Sequence, residues 1–301
     1  MKIMVTGASG FLGSHLVPLL VKSGHQVACL LHQGAPRDPL LQRLPCAVAG
    51  EDGEGIRQLC LGFAPDVVVH LAAHYVSEHR YQDIEKLVSS NILFGARLLE
   101  AMREAGAADL VYSGTSWQHF EGEAYRPANL YAATKEAFST LADYYRDSAG
   151  LRLLELHLYD SYGSDDRRPR LLNLLQSCAQ HGTELEMSRG EQRVHLVHVD
   201  DLSRGFLSAC RQVGALDRGE RRIYRMPSRR GVSLRELVAA FNAADPEHPV
   251  RVGWGKRPYR QREVFHPWEG AEILPGWAPE VGLAEGLRAF RTPPLPLQEM
   301  A

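Results

Sequence analysis

The sequence predicts an α/β protein, a doubly wound parallel sheet joined to a smaller C-terminal α/β lobe. Short apolar runs alternate with amphipathic helical stretches through the first half of the 301 residues. A triple-glycine turn joins the first run to the first helix. Beyond about residue 165 this alternation gives way to a less regular stretch richer in Arg, Pro and Trp. The expected division is therefore 1–165, with later chain crossing back, and 166–301.

"KIMVTG" is a strand ending at Gly7, and "SHLVPLLVKSGH" has helical spacing, with Gly24 as a stop. "QVACLLH" reads as the second strand, Asp66–Ala72 as the third and Ala108–Thr115 as the fourth. An amphipathic helix covers about Ile84 to Ala105 and another about Leu130 to Arg146; the strand Arg152–Tyr159 follows. In the second half "VHLVHVDDL" and "RRIYRM" read as further strands, with Asp200 and Asp201 as a helix N-cap. Phe138, Leu141 and Tyr145 form a stripe suited to core or dimer packing. The end, "TPPLPLQEM", reads as a frayed tail.

Hydrophobic residues make up 45% and charged residues 23%, with Lys+Arg 34 against Asp+Glu 36, so no overall field draws nucleic acid or a membrane surface. The clusters Arg167, Arg168, Arg170 and Arg218, Arg221, Arg222 are each either solvated surface or a meeting point for a small anion. Cys29, Cys46, Cys60, Cys178 and Cys210 have no CxxC spacing and read as reduced thiols, mostly in the core. The expectation is a cytoplasmic protein with no membrane span and no metal site.

"VTGASGFLG" sets Gly7, Gly10 and Gly13 between a strand and a helix. Gly7 permits the tight turn, Gly10 admits a pyrophosphate and Gly13 lets helix and strand pack closely; the helix N-terminus supplies N–H donors. This is the dinucleotide cradle of a Rossmann-type sheet. Ser9, Phe11 and Leu12 share it, while Leu71, Ala72, Ala73 and Ser113 line the cofactor from later strand ends. NAD users place a carboxylate after the second strand to hold the ribose 2′-hydroxyl. Here the chain reads Leu30, Leu31, His32, Gln33, which favours NADP(H) over NAD(H), with His32 and Arg37 toward the 2′-phosphate.

Tyr131 and Lys135 stand four apart on a helix and share a face. An ammonium beside a phenol stabilises the phenolate, giving an acid/base usable near neutral pH. Lys135 also suits the nicotinamide ribose, and Thr115, ending the strand before, offers a hydroxyl to a substrate oxygen.

With its G-x-x-G-x-x-G loop, Tyr131 and Lys135, the chain resembles the extended short-chain dehydrogenase/reductases that act on nucleotide sugars, over residues 1–288. "TSWQHF", "NLYAATKEAF", "YDSYG" with "DRRP", and "GEQ" look most like the CDP-abequose/paratose synthase-type branch. That resemblance implies NADPH-dependent reduction of the C4 ketone of a nucleotide-linked 4-keto-(di)deoxyhexose, in deoxysugar biosynthesis. It implies Thr115, Tyr131 and Lys135 as catalytic residues and His74, Asn91, Ser116 and Trp117 near the sugar, Asn91 bracing the site or touching it. Asp160 stands where many members have Asn, and Arg193 and Arg260 where arginines meet the pyrophosphate. The Asp-Glu pair of the 4,6-dehydratases is replaced by Ser116 and Trp117. The gap from Thr115 to Tyr131 is 131 − 115 = 16 residues, shorter than expected of most epimerases. The alternatives are a 4-epimerase with tightly bound NAD and a non-catalytic NAD(P)-binding sensor. Relatives of this type pair through the helices near 84–105 and 130–146, which implies a homodimer.

Overall fold

The computed structural model describes residues 1–35, 38–50, 53–122 and 124–292. Arg37 and the expected tail from position 293 lie outside the described residues. Seven strands form one wholly parallel sheet: β1 (Lys2–Thr6), β2 (Gln26–His32), β3 (Cys46–Ala49), β4 (Val67–His70), β5 (Asp109–Thr115), β6 (Arg152–Leu158) and β11 (Arg221–Met226). Their order is β3-β2-β1-β4-β5-β6-β11. The order reverses between β1 and β4, and a doubly wound sheet opens its ligand crevice at the carboxyl ends of such a pair.

Side-chain alternation sends the strands' residues to two cores, one on each face. Ile3, Val5, Val27, Cys29, Val111 and Leu154 enter one cluster with α1 (Phe11–Lys22) and α7 (Val199–Gln212). Met4, Ala28, Val68, Leu110, Tyr112 and Leu153 enter the other with α2 (Glu54–Phe63), α4 (Phe94–Glu104) and α5 (Leu130–Ala149). Phe138 is fully buried there and Leu141 and Tyr145 pack beside it, so that stripe serves the core.

Three local expectations differ. β3, unmarked in the sequence, is an edge strand of only four small, partly exposed residues, too short to stand out as a strand on its own. The single helix expected over Ile84–Ala105 is α3 (Ile84–Val88), a π-helical turn (Ser89–Leu93) and α4. The N-cap of α7 is His198, whose ring accepts from Asp200 N; Asp201 is buried and accepts instead from Glu280 N at 2.8 Å and Val281 N at 3.1 Å. Asp200 and Asp201 already lie inside the first turn of α7, past the N-cap position.

A third apolar core gathers Tyr162, Leu172, Leu237, Phe241, Leu287 and Phe290. It joins α6 (Leu171–His181), α8 (Leu234–Ala244) and α9 (Leu283–Arg291) to three small strand pairs. These are β7 (Asp160–Tyr162) with β10 (Leu196–His198), β8 (Glu184–Met187) with β13 (Arg251–Trp254), and β9 (Arg193–Val194) with β12 (Val232–Ser233). Among the described residues no helix is long and apolar enough to cross a membrane.

Candidate active site

The glycine loop is held by close backbone approach. Gly7 has φ 73°, and a Cβ on it would lie 2.7 Å from Ala72 N; one on Gly13 would lie 2.2 Å from Gly7 O. Gly10 N donates to Gly7 O at 3.0 Å, and α1 starts at Gly10 with no capping side chain. Its first N–H groups therefore face outward beside Ser9, Phe11 and Leu12, a ready anion cradle. Thr6 Oγ1 accepts from Ala72 N at 3.2 Å and lies 2.8 Å from His70 Nδ1, locking the turn after β4 onto the loop after β1. Leu71, Ala72 and Ala73 thus reach the crevice, with Ser113 on β5 donating to His70 O at 3.1 Å. These backbone donors fit a dinucleotide pyrophosphate.

His32 is the last residue of β2; its side chain is exposed and its Nδ1 lies 2.8 Å from Gln33 O. The next described carboxylate, Asp38, accepts from Leu41 N at 2.8 Å. Acidic hydrogen-bonding capacity at the end of β2 is absent among the described residues.

Asn129 starts α5, accepting from Ala132 N at 2.9 Å and donating to Ser77 O at 3.0 Å. Tyr131 follows in the first turn and Lys135 one turn on. Lys135 Nζ is buried, donates to Ser113 O at 2.8 Å, and stands 4.7 Å from the Tyr112 ring and 5.9 Å from the Tyr131 ring. Burial lowers Lys135 to about 7, with Glu155 the opposing charge. Burial also raises the Tyr131 phenol, and the leading cation opposing that is Arg170. The expected lowering of Tyr131 by Lys135 is therefore not the arrangement found: the ammonium faces the Ser113 carbonyl, and desolvation dominates both groups. Thr115 ends β5 with its Oγ1 accepting from Trp117 N at 3.3 Å and its N–H held by Gln118 Oε1 at 2.8 Å.

Beside these groups opens a cavity of about 660 Å³. Ser116, Trp117, Asp160, Arg193 and Arg260 line it; Thr115, Tyr131, Lys135, His74 and Asn91 do not, though Leu130 and Ala133 on either side of Tyr131 do. Asn91, turned inward by the π-helical turn, has its amide occupied: it bonds both His74 backbone groups, at 2.7 and 2.9 Å, and Thr134 Oγ1 at 2.8 Å. It pins the loop after β4 to α5. Arg260 Nε sits 3.1 Å from Glu78, and Arg193 donates to Gly231 O. Burial raises the Asp160 carboxyl, against Arg170, Arg168 and Arg260.

Two residues absent from the sequence-derived site belong to it. Tyr75 packs edge-on to Tyr131 at 4.9 Å, and Arg170 stacks 3.6 Å over Tyr75. Tyr75 directly follows the predicted His74; Arg170 was legible only as part of a basic cluster. Arg168 of the same cluster stacks 4.1 Å over Phe11 of the glycine loop.

The model of a family described as the NAD dependent epimerase/dehydratase family matches residues 3–224. A CDP-abequose synthase of Yersinia pseudotuberculosis is 26% identical over 275 residues, covering 89% of this chain and 92% of its own. A UDP-glucose 4-epimerase of Mycolicibacterium smegmatis is 28% identical over 316 residues, covering 95% and 96%. The crystal structure of a Thermus thermophilus UDP-glucose 4-epimerase complexed with NAD superposes with TM-score 0.79 at 26% identity, covering 97% of this chain and 98% of that one.

Proposed function

This chain belongs to the NAD dependent epimerase/dehydratase family, and we propose that within it the chain is an NADPH-dependent reductase of the C4 ketone of a nucleotide-diphosphate 4-keto-(di)deoxyhexose. The observation that carries this is Tyr131 and Lys135, beside a cofactor cradle whose second strand ends in His32 without a carboxylate. Trp117, Leu130, Ala133 and Val194 give the cavity an apolar wall suited to a sugar lacking hydroxyls. The CDP-abequose synthase relative supports the same chemistry.

When bound, the reduced nicotinamide supplies a hydride to the sugar C4. Tyr131 gives its proton to the oxygen as the carbonyl becomes a hydroxyl, and a solvent proton replaces it. The raised phenol keeps that proton available across neutral pH. Lys135 donates to the Ser113 carbonyl and would donate to the ribose, and Thr115 orients the oxygen. Arg193 and Arg260 receive the diphosphate from the cavity rim. In this reading the cofactor occupies 1–165 with β11, and the sugar nucleotide the lobe from 166 onward. Ile84, Val88, Leu93 and Tyr144 are exposed on α3, the π turn and α5 and would meet across a homodimer in the cytoplasm; sedimentation would report the monomer mass if they do not.

The 28% identical UDP-glucose 4-epimerase favours a second reading, an epimerase with retained NAD. Denaturing freshly purified protein and identifying the released nicotinamide separates the two. Stoichiometric NAD⁺ would replace the reductase by the epimerase. An empty protein that binds NADPH more tightly than NADH supports the reductase.

A further inference from the structure

Beneath the proposed catalytic pair lies a buried carboxylate that neither hydride nor proton transfer uses. Glu155 on β6 is fully buried and is the register partner of Tyr112 on β5, the residue whose ring lies 4.7 Å under Lys135 Nζ. Neighbours in register across a parallel pair project to the same face, so Glu155 sits on the Lys135 side of the sheet. Ser139, one turn beyond Lys135 on α5, donates to the carboxylate at 3.1 Å and lies 3.4 Å from Lys135 O.

The same carboxylate organises the strand end. Gln118 Nε2 reaches Glu155 Oε1 at 3.4 Å while Gln118 Oε1 holds Thr115 N at 2.8 Å. Arg221 donates to Glu155 at 2.7 Å, and His157 Nε2 lies 2.7 Å from it. Gly114, immediately before Thr115, lies directly on this pair: a Cβ there would fall 2.5 Å from His157 and 2.7 Å from Glu155. β5 therefore rests on the carboxylate with no side chain between.

We propose that Glu155 is a positioning residue, the buried counter-charge that opposes the desolvation of the Lys135 amine and, through Gln118, fixes the strand end carrying Thr115. This rests on the reading of Tyr131, Lys135 and Thr115 as the reacting set. Burial alone would raise the Glu155 carboxyl, but His157 and Arg221 hold it at about 2, so the anion persists at every working pH. The other groups facing Lys135 carry no negative charge near neutral pH: His70 on β4, lowered by burial; Tyr112 on β5, raised by burial; and Tyr131 on α5, likewise raised. On α5 itself Glu136 follows Lys135 and accepts from Gln118 at 2.6 Å. Arg221 is the cation on the far side of Glu155, also paired with Asp143 at 3.2 Å.

The test reads the lysine itself. Lys2, Lys22, Lys86, Lys135 and Lys256 are the lysines of the chain, so a ¹³C-lysine-labelled full-length protein gives a short spectrum, and Lys135→Met identifies the signal. In Glu155→Gln the Lys135 titration midpoint is expected to fall by about one pH unit or more, as loss of a close opposite charge requires. Sign follows directly: an anion favours the ammonium, so its removal releases the proton at lower pH, and any alkaline loss of turnover moves down with it. An unchanged midpoint in folded Glu155→Gln overturns the proposal. Should that variant not fold, Glu155→Asp keeps the charge but withdraws it by one methylene. A smaller downward shift is then expected, and none overturns the proposal. If the wild type reduces no keto sugar yet the midpoint moves, the proposed function fails and this inference stands.

Discussion

Between Thr6 and Ser14 the chain makes its cofactor cradle almost wholly from backbone, within nine consecutive positions and against the turn at Ala72. The cavity beside it is made from side chains on loops as far apart as Glu78 and Arg260, converging on Trp117, Asp160 and Arg193. The first is a local device whose glycines are demanded by distance. The second exists only because the third core brings β7, β9 and the 260s loop over the end of β5. A site written in backbone tolerates almost any neighbouring side chain but no Cβ; a site written in side chains behaves the opposite way. The seam between them runs along the start of α5, where Leu130 and Ala133 line the cavity and the Tyr131 ring packs against Tyr75.

Breaking the seam should have the largest effect. Tyr131→Phe removes the proton donor and is expected to lower turnover by about 10³-fold, in the range of a general acid, while NADPH binding by fluorescence titration stays near the wild-type value. Full activity in that variant would end the proposed mechanism. Next comes the backbone region. Gly13→Ala forces a methyl to within 2.2 Å of Gly7 O, and no flexible side chain is there to yield. Overpacking of this kind costs about 1–3 kcal/mol, so Tm should fall and cofactor affinity should drop about 10- to 100-fold. Were Gly13→Ala to bind cofactor normally, the claim that distance dictates this loop would be wrong.

The side-chain region should respond differently. Arg193→Met and Arg260→Met each remove one guanidinium from a cavity that keeps its backbone, and a charged hydrogen bond contributes about 1.5–3 kcal/mol. KM for the sugar nucleotide is expected to rise about tenfold or more in each, with kcat and NADPH affinity little changed. A fall in kcat with KM constant would place these arginines against the reacting sugar instead of the diphosphate.

The same contrast explains what was legible in the sequence. The cradle, the strands β1, β2, β4 and β5, and the Tyr131–Lys135 pair all rest on short-range pattern, where period and glycine spacing act directly. What escaped depends on tertiary placement. Tyr75 and Arg170 meet only because α6 begins beside the turn after β4. Arg221 reads as one of a basic surface cluster, yet from the edge strand β11 it reaches Glu155 in the core. The inward face of Asn91 depends on a π turn that hydrophobic period alone does not reveal. Lys135 shows the limit most clearly: its spacing from Tyr131 announces the pair, but its burial and the anion on the neighbouring strand set its charge.

The smallest expected effect sharpens the one place where the two regions share a plan. At His32 the cofactor half uses a side chain, exposed at the end of β2, and there the choice between NADPH and NADH should be made. A carboxylate at this position accepts hydrogen bonds from a ribose 2′-hydroxyl and repels a 2′-phosphate. His32→Asp should therefore weaken NADPH and strengthen NADH, by about three- to tenfold each, because an exposed charge is screened by solvent and salt. The ratio of the two dissociation constants at low ionic strength checks it, and raising the salt should shrink the difference. A chain that already prefers NADH would change little, and the missing carboxylate after β2 would then carry no information about its cofactor.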